Sequence, residues 1–171
     1  MKKNKLLLSL FIICLLTGCG ESKKKQLDTN LSQSIKIENE SEAALICTMD
    51  YDYSDLNYVL GSKYVVFGKD NKIEKIESKE IISSYEKEKL DQFEDYYNKN
   101  HNAASNYNGY EYDLKRTDDS ITSTVIIDYK EFDLNKFLSD NDIKDSEKDY
   151  TIDGVEKKYI SLGAECKKND N

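Results

Sequence analysis

Ala43-Ala44-Leu45-Ile46-Cys47-Thr48-Met49-Asp50-Tyr51-Asp52-Tyr53 is the stretch on which the fold turns. Leu45, Cys47, Met49, Tyr51 and Tyr53 fall on one side of an extended chain, and mostly polar residues fall on the other. That period of two predicts a half-buried strand, with Cys47 on the core side. Downstream, Tyr64-Val65-Val66-Phe67 is a second apolar run. It leads through Gly68-Lys69-Asp70-Asn71-Lys72 into a strand-like segment from Ile73 to Ile82, and the Asp-Asn pair between them is a hairpin signal.

A change of period follows. Ser83-Ser84-Tyr85-Glu86 has the Ser-x-x-Glu form of a capping box, and Leu90, Phe93, Tyr97 and Ala104 recur at helical spacing, so a helix is expected from about Tyr85 to Ala104. Tyr107 to Lys115 and Ile121 to Lys130 predict a second hairpin around Thr117-Asp118-Asp119-Ser120, with Ile121, Val125, Ile127 and Tyr129 facing inward. Asp133 opens a short helical stretch bearing Leu134, Phe137 and Leu138, and the charged segment 139–149 reads as a loop. Asp153-Gly154-Val155-Glu156 reads as the cap of a last helix carrying Val155, Tyr159 and Leu162, stopped by Gly163 in a left-handed conformation. Cys166 then lies on a short extended tail. The order β-β-β-α-β-β-α-β predicts an α+β domain, an antiparallel sheet with helices packed on one face, over residues 42–168, with a polar tail at 169–171.

Outward in the other direction the character changes. Lys2, Lys3 and Lys5 precede an apolar run from Leu6 to Leu16, shorter than the ~20 residues that span a bilayer. A basic start and an apolar stretch of this length predict a secretory signal over residues 1–18. It ends in Leu16-Thr17-Gly18-Cys19, which resembles the lipobox of bacterial lipoproteins. The resemblance implies cleavage before Cys19, lipidation of Cys19, and anchorage of the domain on the extracytoplasmic face of the cell membrane. Two or three acyl chains give stable attachment, because each buried CH₂ contributes about 0.8 kcal/mol. Residues 20–41 are polar with isolated Leu27, Leu31, Ile35 and Ile37, and read with Cys19 as a tether over 19–41.

The chain carries 25 Lys plus Arg against 33 Asp plus Glu, a formal charge of −8. Loss of residues 1–18 removes three Lys and no acid, which takes the charge to −11. Anionic headgroups repel such a domain, so the lipid alone is expected to hold it. Arg116 is the single arginine, and this acidic balance excludes a phosphate-binding, nucleic-acid-type surface.

Of four cysteines, Cys14 leaves with the signal and Cys19 takes the lipid. Cys47 and Cys166 remain, and an even pair in an exported chain is read as one disulfide, with two buried free thiols as the alternative. The tail pairing beside the first strand would bring the two together. Closing so long a loop stabilises by about 4 to 5 kcal/mol in the chain-entropy description. Lipobox, tether, Leu45-Ile46-Cys47-Thr48 and Gly163-Ala164-Glu165-Cys166 together resemble the YehR-like bacterial lipoproteins over roughly residues 43–168. The likeness is one of layout; it implies the address and the fold and carries over no active site.

No catalytic constellation is legible. His101 is the single imidazole, and its place near a helix C-terminus is favoured by the helix dipole alone. No Walker loop, Gly-rich dinucleotide turn or paired-Cys motif points to a nucleotide, cofactor or metal. Asp50-Tyr51-Asp52-Tyr53-Ser54-Asp55 gathers carboxylates but lacks the Gly and Glu that an EF-hand loop requires at positions six and twelve. Tyrosine is the one excess, 13 residues with no Trp, and its amphipathic ring suits binding surfaces. Tyr51, Tyr53, Tyr110 and Tyr112 form the candidate binding surface. The expected function is that of a non-catalytic, lipid-anchored binding or accessory module for an envelope protein or component. The alternatives are a small surface enzyme, a small-ligand-binding domain, or a source of a signalling peptide released from the signal segment.

Overall fold

The computed structural model of the chain describes residues 27–145 and 147–169. The signal segment, the lipobox Leu16-Thr17-Gly18-Cys19 and residues 170–171 lie outside these. The architecture is α+β, as the order of periods predicts. Six strands, β1 (Leu45–Tyr53), β2 (Tyr58–Lys69), β3 (Lys72–Ser83), β4 (Tyr110–Arg116), β5 (Ser120–Asp128) and β6 (Glu165–Lys168), form one open sheet in the order β4-β5-β3-β2-β1-β6. Every neighbouring pair is antiparallel.

Among the described residues four α-helices accompany the sheet: α1 (Leu31–Ser34), α2 (Lys87–Ala104), α3 (Leu134–Asp140) and α4 (Ile152–Ser161). On the face bearing the odd residues of β1, α2 lies over β4 and β5, and α4 lies over β1 and β6. Leu90, Phe93 and Tyr97 of α2 are buried with Leu60, Ile82 and Ile121. Val155 and Tyr159 of α4 are buried with Leu45, Cys47, Tyr64 and Val66. α3 buries Phe137 and Leu138 beside Tyr110 and Phe132 at the β4 end.

Local chemistry sets the element ends. Asp70 and Asn71 both take positive φ, 52° and 60°, the backbone that a two-residue type I′ hairpin demands and that Asn and Asp tolerate best. Asn71 also accepts from the Asp153 amide at 2.9 Å, so the hairpin tip receives one of the unpaired donors of α4. The cap of α4 is Thr151, whose Oγ1 accepts from the Gly154 amide at 3.1 Å, not the expected Asp153, because the helix starts at Ile152. Nor does Ser83 form a capping box. It still belongs to β3, and α2 begins at Lys87 after Ser84 Oγ has accepted from the Glu86 amide at 3.0 Å and donated to the Asn57 carbonyl at 2.7 Å. Gly163, at φ 94°, ends α4 as expected.

Part of the segment read as tether is docked. Leu31, Ser32 and Ile35 are buried, and α1 rests on β1, β2 and β3. Gly61 admits it: a Cβ there would stand 2.5 Å from Leu31 Cβ and 2.6 Å from the Ser32 amide nitrogen. Gly61 alternates with Leu60 and Ser62, so α1 covers the face opposite α2 and α4. The segment is held through its backbone, with Lys63 Nζ donating to the Ile35 carbonyl at 2.6 Å and Lys79 Nζ to the Lys36 carbonyl at 2.8 Å. Leu27, Leu31 and Ile35 fall four apart, a helical spacing, but the residues around them are polar and α1 is a single turn, so a docked segment was not legible as an amphipathic face.

The C-terminal strand closes the sheet edge. Cys47 and Cys166 face each other across β1 and β6 and form a disulfide, with Cα atoms 4.1 Å apart. Among the described residues no helix is long and apolar enough to cross a membrane.

Candidate functional site

The register of the sheet places Met49, Ser62, Glu80, Ser123 and Leu114 side by side across five strands on the helix-bearing face. The next row is Cys47, Tyr64, Ser78, Val125 and Tyr112. Ser78 and Glu80 lie on β3, between the strands that α2 covers, β4 and β5, and those that α4 covers, β1 and β6, and Ser123 lies buried beside Glu80 on β5. Short side chains leave unfilled there the volume that larger ones would occupy in a packed layer. The result is a partly open cleft of about 390 Å³ between the sheet, α2 and α4. That volume lies in the range of about 300 to 1,000 Å³ typical of small-molecule sites.

Glu80 is the central chemical group of the cleft. Tyr64 donates its hydroxyl to Glu80 Oε1 at 2.6 Å, and Tyr97 of α2 donates to Oε2 at 2.7 Å. Burial, and then the adjacent Glu80 carboxylate, push both phenols well above their usual pKa, so they remain donors. On the α4 side Tyr64 stacks on Tyr159, with centroids 4.3 Å apart. On the α2 side Tyr97 lies parallel to His101 at 5.8 Å. Apolar walls come from Ile76, Ile82, Phe93 and Val155. The floor is thus a carboxylate held by two hydroxyls and bordered by aromatic and apolar side chains.

His101 lines the cleft as a neutral ring. Burial lowers its pKa from 6.5 to about 4, its Nδ1 is hydrogen-bonded to the Tyr110 hydroxyl, and its ring stacks on Tyr112 at 4.4 Å. Lys158 also lines the cleft, yet its charge is met by Asp145 Oδ2 at 3.0 Å, and its Nζ sits 5.5 Å from the Tyr150 ring centroid. Among the described residues no Lys, Arg or His stands within ion-pairing distance of Glu80.

The four tyrosines of the sequence reading do not form one contiguous surface. β1 and β4 are separated by β2, β3 and β5, about 19 Å at ~4.8 Å per strand. Tyr51 and Tyr53 line one side of the cleft and Tyr110 lines the opposite side. Tyr112 is outside the lining, its hydroxyl given to Asn98 Oδ1 at 2.7 Å. Tyr51 is partly a structural residue, donating to the Leu162 carbonyl at the end of α4. Asp50 faces away from the cleft and accepts from the Ser32 amide at 2.8 Å, while Asp52 accepts from the Ser54 amide at 2.9 Å. Among the described residues no group of three or more His, Cys, Asp or Glu is arranged to hold a metal ion.

The sequence reading missed Glu80, Tyr64, Tyr97 and Tyr159 as site residues. A signal existed for Glu80: in Ile76-x-Ser78-x-Glu80-x-Ile82 a charged residue occupies an apolar-face position of a strand, and buried charge is rare unless partnered.

No protein-family model matches the chain, and no curated protein matches it either. Solved structures do. The fold is similar to that of the E. coli YehR protein. That NMR structure is 19% identical over 74% of this chain and 92% of its own, with a TM-score of 0.48. An NMR structure of a protein from Streptococcus pneumoniae TIGR4 is 14% identical over 88% of this chain and 100% of its own, with a TM-score of 0.43.

Proposed function

We propose that this chain is a non-catalytic binding module, anchored through lipid on Cys19 to the extracytoplasmic face of the cell membrane, whose tyrosine-lined cleft captures a small component of the envelope or its surroundings. The observation that carries the reading is the cleft itself: about 390 Å³ built on the middle of the sheet, with apolar walls and few, convergent polar groups. Its one imidazole is neutral and is hydrogen-bonded to Tyr110 rather than to a Ser or Cys nucleophile. The lipobox supplies the address, and the net charge of the exported part sets the domain apart from anionic lipid and nucleic acid.

The test uses the full chain in bacterial membranes, carrying a photo-crosslinking residue at Tyr96, which lines the cleft, or at Tyr85, which is exposed and outside the lining. Small-molecule adducts at position 96 that are missing at position 85 are the expected result. Equal labelling at both positions, or adducts at neither, overturns the reading. A Cys19→Ala chain that still partitions with membranes overturns the anchor.

A further inference from the structure

We infer that the cleft selects a small organic cation, a primary ammonium group on an apolar body, with Glu80 as the group that receives the charge. The inference rests on the binding reading above and names the ligand class for the same site. Three independent features of the geometry converge on it.

First, Glu80 is a half-buried carboxylate with hydroxyl partners and, among the described residues, no ion-paired cation. A carboxylate offers about four acceptor sites. Tyr64 and Tyr97 each supply one donor, to different oxygens, so acceptor capacity remains for the N–H groups of a ligand. Two neutral donors orient the carboxylate without neutralising it, and a cation that enters supplies the missing charge in a medium of lowered dielectric.

Second, aromatic rings pack closely around the carboxylate. Tyr64, Tyr97 and Tyr159 are all buried beside the floor, Tyr64 and Tyr97 reach Glu80 with their hydroxyls, and the apolar bodies of the rings lower the local dielectric in which an ammonium would meet the carboxylate. An anion meets the opposite, because Glu80 repels it. Lys158, the cation of the lining, is already paired with Asp145, and His101 is neutral at physiological pH, so neither offers a free positive charge to an acidic ligand.

Third, the distribution of the walls is amphipathic. Ile76, Ile82, Phe93 and Val155 line the cleft around one charged group, which suits a ligand with one cationic end and an apolar remainder. Ser78 and Ser123 add hydroxyls beside Glu80 in the sheet register. The formal charge of −8 steers cations toward the domain at low ionic strength.

The experiment is an NMR titration of the ¹⁵N-labelled full chain with three probes of one shape and different charge: cyclohexylmethylammonium, cyclohexylmethanol and cyclohexanecarboxylate. The expected result is saturable shifts at Ser78, Ser123 and Val125, with the ammonium binding at least about tenfold more tightly than the alcohol and the carboxylate not binding. In Glu80→Gln the ammonium falls to the affinity of the alcohol, and the alcohol is unchanged. Equal affinity of ammonium and alcohol in the wild type overturns the cation inference while the binding reading stands. Failure of all three probes to move the cleft residues overturns both. An ammonium preference that persists in Glu80→Gln removes Glu80 from the role. The wild-type series needs no variant to fold, and Tyr64→Phe, which leaves the carboxylate in place, is expected to keep the preference for charge.

Discussion

Tyr97, on the third turn of α2, donates its hydroxyl to Glu80 Oε2 in the centre of β3 at 2.7 Å. This bond ties the long helix to the middle of the sheet and also orients the carboxylate at the floor of the cleft. Hydrogen bonds to ionised groups contribute about 1.5 to 3 kcal/mol. Tyr97→Phe keeps the ring packing and removes the bond, so urea unfolding is expected to show a loss in that range, with faster amide exchange along α2. An unchanged midpoint would show that the bond has little net weight.

The Cys47–Cys166 disulfide joins β1 to β6 across a sequence separation of 119. Reduction, or the double substitution Cys47→Ser with Cys166→Ser, is expected to lower unfolding free energy by about 4 to 5 kcal/mol through restored chain entropy. The reduced wild type and the double variant should then unfold alike in denaturant, and β6 should lose exchange protection first.

His101 makes stability depend on pH. Its folded pKa of about 4 lies below the ordinary 6.5 because burial disfavours the imidazolium. Between those two values the unfolded chain binds more protons than the folded one, so stability rises with pH there. Unfolding free energy is expected to be level above pH 7 and to fall as pH drops from about 6.5 toward 4, and His101→Asn is expected to flatten that slope. The exposed Asp52 and Asp153, whose pKa values are lowered by bonding to Ser54 and Lys168 respectively, add their own losses only at lower pH.

Gly61 admits the docked segment. In Gly61→Val the new side chain occupies the space of Leu31 and Ser32 and is expected to lift residues 31–42 from the sheet. Exposing Leu31 and Ile35 costs about 1.5 to 3 kcal/mol each. Limited trypsin digestion should then cut after Lys36 faster than in the wild type, while the disulfide-closed domain survives.

The sequence by itself determined the periods: strands wherever apolar residues alternate, α2 and α4 wherever they recur every three or four positions, and the hairpin at Asp70-Asn71. These are local, because backbone sterics and the burial of one face act within a few residues. The disulfide was legible too, since two thiols remained and a terminal strand had an edge to join. What only the tertiary structure decided is which residues meet. The strand order separates Tyr51 and Tyr53 from Tyr110, and it brings Glu80, Ser78 and Ser123 from β3 and β5 together beneath two helices distant in the chain. Leu31 and Ile35 stand four apart in a polar stretch too short to specify a packed helix, and Leu31 finds its place because Gly61 leaves room for it. Long-range register and the volume left between packed elements are properties of the whole sheet, and no window of the sequence contains them.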